Sequence, residues 1–160
     1  MEFELTELGP ETAEQLREID RGDVPEAFVG SCETMQAHIE YGAEHGCVGH
    51  SYGIRQNGKL VGFILLGEAI PWETDPPEMQ ARPFYRLMHF VLDRRVRGQG
   101  LGGAVLEETI RAVRRDFGDR PIAVGCHRDN HAAERFYARH GFRKTPYMES
   151  EDWYWIREIP

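Results

Sequence analysis

The stretch from Leu87 to Gly103 constrains this chain more than any other. It opens as an apolar run, Leu87-Met88-His89-Phe90-Val91-Leu92, dense enough to read as a buried strand. Arg94, Arg95 and Arg97 follow within four residues, then Gly98, Gly100, Gly102 and Gly103 within six. From Leu101 the pattern becomes helical and runs through Ala104-Val105-Leu106-Glu107-Glu108-Thr109-Ile110. A strand that passes through glycine-rich backbone into a helix N-terminus makes an anion cradle. Successive N–H groups converge, the first helical turn has unpaired donors, and the helix dipole adds about half a positive charge. Guanidinium groups beside it match phosphate geometry.

Gly98, Gly100 and Gly103 also satisfy G-x-G-x-x-G. A dinucleotide fold puts the first glycine at the strand end and an acidic residue after the next strand. Here polar residues separate Leu92 from Gly98, and Asp119 precedes the next strand. Both features argue against nicotinamide binding.

The 160 residues suit one domain with one core. No run reaches the roughly 20 apolar residues of a membrane span, and the acidic start MEFELTEL does not read as a signal sequence. Three cysteines without C-x-x-C spacing suit reduced thiols and a cytoplasmic location. Residues 1–50 hold twelve acids and two bases, whereas the remainder holds fifteen acids and seventeen bases. A net charge of −8 opposes nucleic-acid binding. Its uneven spread suggests a basic region for an anionic ligand, with either a solvated acidic face or a cation site elsewhere.

Along the chain, Phe3–Thr6 alternates like a strand and Pro10–Ile19 reads as a helix. Glu33–His45 reads as a second helix, with Met35, Ile39 and Ala43 on one face. Asn57-Gly58 between apolar runs predicts a hairpin. Pro71, Pro76, Pro77 and Pro83 make residues 69–83 a loop. Beyond the glycines, a helix ends at Gly118, Pro121–Cys126 forms a parallel strand, and Asn130 caps a helix that ends at Gly141. Two final strands lie near 142–144 and 153–156. His45, Cys47 and His50 are close in sequence but lack a fourth ligand, so no metal site is expected.

Two motifs then stand in order. Arg97-Gly98-Gln99-Gly100-Leu101-Gly102 resembles the R/Q-x-x-G-x-G/A acetyl-CoA loop of the GNAT superfamily of N-acetyltransferases. The stretch from Asn130 to Phe142 is similar to that family's N-x-x-A-x-x-x-Y-x-x-x-G-F helix. The resemblance implies an α+β, three-layer fold. Its mixed, mostly antiparallel sheet would have about seven strands and a central, splayed parallel pair, flanked by four helices. It also implies acetyl-CoA as co-substrate. The pyrophosphate would rest on the backbone of Arg97, Gly98, Gln99, Gly100, Leu101 and Gly102, with Gly103 in the same turn. The pantetheine arm would lie along Phe90, Val91 and Leu92, with Asn130 facing it and Phe136 lining its channel. A homodimer is compatible with the family.

In such a family Tyr137 would protonate the departing thiolate, since a phenol near pKa 10 is protonated at neutral pH. From spacing alone Tyr137 fits a core position equally well. An alkylamine acceptor near pKa 10.4 must lose a proton, an uphill step of roughly 4 kcal/mol at pH 7. His89 and Glu68 are the candidate bases. The segments expected to face the acceptor carry Asp20, Asp23, Glu26 and Glu33, and Glu149, Glu151 and Asp152. Phe28, Trp72, Tyr147 and Trp153 would supply walls. The expected acceptor is therefore a small cationic, polyamine-like amine. An aminoglycoside, a protein N-terminus and a non-catalytic acyl-CoA-binding module are the alternatives.

Overall fold

Asn57 and Gly58 both take positive φ, 51° and 77°, as a two-residue hairpin turn demands. They join β2 (Gly49–Gln56) to β3 (Lys59–Glu68) in a computed structural model that describes residues 2–160. β1 (Glu4–Glu7) pairs antiparallel with β2, and β4 (Tyr85–Leu92) pairs antiparallel with β3. β5 (Ile122–His127) is parallel to β4, and β6 (Arg143–Glu149) and β7 (Asp152–Arg157) complete the sheet. The strand order is β1-β2-β3-β4-β5-β7-β6. This is the seven-stranded, mostly antiparallel sheet with one parallel pair that the sequence led us to expect.

The helices are α1 (Cys32–His45), α2 (Pro77–Gln80), α3 (Leu101–Phe117) and α4 (His131–Arg139). On one sheet face, Leu101, Val105, Leu106, Ile110 and Val113 of α3 pack with Ile64, Leu66 and Leu87. On the other, Met35 and Ile39 of α1 pack with Leu16, Phe63 and Val91. Ala43, expected on the apolar face of α1, is exposed.

Pro10–Ile19 does not form an α-helix. Ala13–Glu18 is a 3-10 helix, and its inward residues Ala13 and Leu16 recur every three positions. It stops because the next amide leaves the helix: Asp20 N–H donates to Asp93 Oδ2, 2.9 Å away. The proline-rich segment contains the short α2, which buries Met79 completely.

One buried ion pair fastens that segment to the sheet. Arg86 of β4 donates from two nitrogens to the two oxygens of Asp75, at 3.1 and 3.0 Å. The Tyr154 hydroxyl and the Trp72 amide also donate to this carboxylate, and the guanidinium lies 3.6 Å over the Trp72 ring. Asp75→Ala leaves a buried guanidinium without its partner and should cost about 3–5 kcal/mol in urea unfolding.

Candidate active site

β4 and β5 are hydrogen-bonded partners only at Tyr85–Ile122 and Arg86–Ala123. Beyond that point the strands part. The cause lies on the other edge of β4: against β3, Leu66 pairs with Leu87 and Leu65 with His89, so Met88 is an extra, bulged residue. The bulge bends β4 away from β5 and also shifts its alternation. Tyr85 and Leu87 face the α3 side, and so do Phe90 and Leu92. His89 and Val91 are thereby turned to the α1 side.

The opened wedge holds a cavity of about 380 Å³, within the usual range for a ligand site. Leu87–Phe90 line one wall, and Val124, Gly125 and Cys126 the other. Tyr137, Asn130 and Ala133 come in from α4. Tyr137 is buried against Phe142, ring centroids 5.3 Å apart. Burial, with a smaller contribution from Cys126, pushes its phenol well above the ordinary value. It therefore stays protonated at every physiological pH. His89 is 6% exposed, and burial first, then His38 and Arg21, hold its imidazole at about 4. It is neutral at pH 7. Asn130 caps α4 by accepting from the Ala133 amide at 3.2 Å. Phe136 meets Phe90 edge-on, centroids 6.0 Å apart, on the α3 side of the wedge.

At the end of β4 the chain enters the glycine loop. Gly98 and Gly100 have φ of 75° and 82°, and a side chain on either would meet no protein atom within 4 Å. The loop surface is open at both, and α3 starts at the next residue with its first amides unpaired. Gly103 has a different reason to be glycine: a Cβ there would sit 2.9 Å from the His140 ring, so it permits α3 and α4 to approach. The arginines mostly brace the loop. Arg94 pairs with Asp20 and Arg95 with Asp93. Arg97 donates to the carbonyls of Leu92 and Arg21, and its charge is neutralised by neither.

Asp93 holds this region together. Its solvent-inaccessible carboxylate accepts from the Arg95 side chain at 2.8 and 2.7 Å, and from the amides of Arg95 and Asp20. The Arg95 side chain foremost, against the opposing effect of burial, keeps its carboxyl well below the usual range. One residue beyond Asp20, Arg21 donates to the carbonyls of Val24, Val29 and Gly30. That gathers residues 24–30 into a roof, and Phe28 reaches across the wedge to the His127 ring, centroids 5.0 Å apart.

Of the acidic residues expected to face an acceptor, Glu26, Glu149 and Asp152 line the cavity. Asp20, Glu33 and Glu151 are instead paired with Arg94, Arg17 and Arg128. Burial is the main cause raising both Glu149 and Asp152 above ordinary carboxylates. Phe28, Trp72 and Trp153 line the same space, whereas Tyr147 does not. Glu68 is elsewhere, on a second cavity between α1 and the proline-rich segment, where it accepts from the Val48 amide at 3.3 Å. His45 and His50 engage Tyr41 and the Glu7–Asp116 pair, respectively. Sequence reasoning missed Asp93, Arg21 and His38, whose Nδ1 lies 2.7 Å from His89 Nε2. An aspartate just before the arginine run was the signal for the first; nothing local marks the other two.

A sequence model described as the acetyltransferase (GNAT) family matches residues 13–142. Comparison with curated proteins gives no match. Among solved structures, the chain is similar to PaiA N-acetyltransferase from Thermoplasma acidophilum in complex with coenzyme A. The identity is 18% and the TM-score 0.70, over 99% of this chain and 100% of that one. It is also similar to Ard1 from Thermoplasma volcanium, with 20% identity and a TM-score of 0.69 over 100% and 99% of the two chains. A third relative is the ribosomal-protein-S18-alanine N-acetyltransferase from Escherichia coli, with 17% identity and a TM-score of 0.66 over 99% and 94%. At these identities the likeness establishes the fold.

The Asp93 cluster makes a thermodynamic prediction. A depressed carboxyl contributes stability that is fully present above its unfolded value, near pH 3.9, and declines as pH falls through the folded one. Asp93→Asn should lose about 2 kcal/mol at pH 7. Urea unfolding between pH 7 and pH 3 should show the gap from wild type narrowing at the acid end.

Proposed function

The chain belongs to the acetyltransferase (GNAT) family and is an acyltransferase that uses acetyl-CoA as co-substrate; we propose that its acceptor is a small cationic, polyamine-like primary amine. We further propose direct attack of that amine on the thioester, with Tyr137 as general acid. One observation carries the acceptor assignment. The wedge cavity places Glu26, Glu149 and Asp152 around its lining, while its lining cation, Arg86, is already clamped by Asp75. The net field inside therefore favours a positive guest. Trp72, which lines the cavity, already stacks a cation, the Arg86 guanidinium, 3.6 Å from its ring centroid.

The glycine loop fits a pyrophosphate. Open space above Gly98 and Gly100 lets phosphate oxygens reach backbone donors, and the α3 dipole and Arg97 supply positive potential. The splay leaves the β5-facing edge of β4 free for the amide groups of a pantetheine arm, although Arg97 already occupies the Leu92 carbonyl. No helix among the described residues is long and apolar enough to cross a membrane.

Tyr137 shares the cavity with His89, on the α4 side of the wedge. As the amine nitrogen bonds to the acetyl carbon, the carbon–sulfur bond breaks and sulfur gains negative charge. A phenol held protonated by burial donates to that sulfur as the charge develops, and the same dry surroundings make a thiolate more basic than in water. Tyr137→Phe keeps the ring and removes the proton. Turnover, followed by thiol release, should fall roughly 10²–10⁴-fold while coenzyme A affinity by calorimetry is unchanged; wild-type turnover would return Tyr137 to a packing role.

The electrostatic reading of the acceptor is tested with spermidine, an aminoglycoside and a peptide with a free N-terminus and neutral side chains. Spermidine should have the lowest KM, rising with ionic strength, and Glu149→Gln with Asp152→Asn should raise it about tenfold or more. Because both carboxyls are raised, acidification should weaken acceptor binding at a higher pH than ordinary carboxylates would. Preferred, salt-insensitive use of the peptide would overturn the cationic assignment.

A further inference from the structure

His89 and His38 line different cavities yet touch. His89 belongs to the wedge cavity, and His38, on α1, lines the second one, of about 550 Å³. Their rings are 4.9 Å apart between centroids and joined by the 2.7 Å contact between His38 Nδ1 and His89 Nε2. The other nitrogen of His89, Nδ1, is buried and has no hydrogen-bond partner among the described residues. It lies on the side of Gly30, which lines the wedge cavity: a Cβ on Gly30 would be 3.5 Å from it.

The tautomer follows from what each choice strands. If His38 donated to His89, His89 would carry its own proton on Nδ1, a buried N–H with no acceptor. If His89 Nε2–H donates to His38, Nδ1 carries only a lone pair. Orphaned buried donors are rarer than orphaned acceptors, which favours the second arrangement. It leaves a free lone pair on the Gly30 side, at the border of the wedge cavity, and a proton aimed at His38, which lines the second cavity.

We propose that His89 and His38 form a proton relay, with His38 as the exit through which the amine's proton leaves the wedge for the second cavity. This rests on the acetyl-transfer reading above. The bound ammonium first gives one proton to His89 Nδ1 as the Nε2 proton of His89 passes to His38 Nδ1, and the freed nitrogen lone pair then bonds to the acetyl carbon. The carbon–sulfur bond breaks, and the sulfur takes the Tyr137 proton. His38 releases a proton from Nε2 to solvent, the second surplus proton on nitrogen returns to Tyr137, and a turn of both imidazole rings restores the starting tautomers. One ammonium and one thioester give one amide, one thiol and one proton.

The surroundings suit transfer over storage. Burial, His38 and Arg21 hold His89 far below an ordinary histidine, and burial lowers His38 too. Glu26, Glu149 and Asp152 face the wedge, and Glu7, His50 and Glu68 face the second cavity, where a departing proton is stabilised.

The test compares His38→Ala with His38→Gln, whose amide oxygen accepts a hydrogen bond from His89 but cannot pass a proton on. Both should lower kcat about 10–100-fold, leave coenzyme A affinity unchanged and shift the pH profile of kcat. Added imidazole should restore part of the rate to His38→Ala through the second cavity. Wild-type kcat and pH profile in either variant would overturn the relay, as would full rescue by glutamine, which would make His38 only a positioning residue. Side-chain ¹⁵N NMR separates this from the acetyl-transfer reading, because it needs no turnover. Wild type should show a proton on His89 Nε2 and a bare Nδ1 at pH 7, and a protonated Nδ1 would refute the relay whatever amine is used.

Discussion

A single carboxylate, that of Asp93, joins the two halves of the site. It ends the strand whose bulge opens the wedge, and it fixes the first turn of the loop that leads to α3. It also takes the Asp20 amide, seventy-three residues away in sequence. Through that bond and the Arg97 contact with the Arg21 carbonyl, the segment roofing the wedge is tied to the glycine loop. Without it, the glycine loop would have its conformational freedom and no frame, and residues 24–30 would have one anchor fewer. The energetic logic is that of a buried carboxylate on which several donors converge, two amides and an arginine side chain that is itself largely exposed.

The sheet supplies the other requirement, a gap. Parallel pairing between β4 and β5 lasts for two residue pairs and then gives way to side chains from both strands and from α4. The two faces of β4 beyond the bulge then do different work. Phe90 and Leu92 look toward α3 and α4, beside the glycine loop. His89 looks toward α1 and the acidic, aromatic side. One strand therefore turns an aromatic and aliphatic pair to one side of the sheet and an imidazole to the other.

Much of this was legible in the sequence because the signals were local. Asn57-Gly58, the strand–arginine–glycine–helix run and the Asn130 cap each depend on neighbours within a few residues, and each formed as expected. What the sequence hid was non-local or a matter of parity. LMHFVL is apolar almost throughout, so its alternation carries no mark of the extra residue at Met88. The arginines invited a phosphate-binding role on charge alone, yet Arg94 and Arg95 found carboxylates close by. Glu68 and His89 were indistinguishable as bases until the fold put them on different cavities. His38 sits beside Ile39 on α1, and only the turn of β4 brings its partner to it.

The bulge at Met88 has a consequence for how such a strand can change over time. Substitutions alter what a position offers, but a one-residue deletion there would make Leu66–Leu87 and Leu65–His89 consecutive rungs, restoring plain alternation and removing the bend while every later residue kept its face. The imidazole would still meet α1 and Phe90 would still meet α3, yet the strand would lack the bend that parts it from β5. The count of residues between Tyr85 and the glycines is therefore inherited information in its own right. An alignment that closes a gap at this point for the sake of matching letters would pair residues on opposite faces of the sheet.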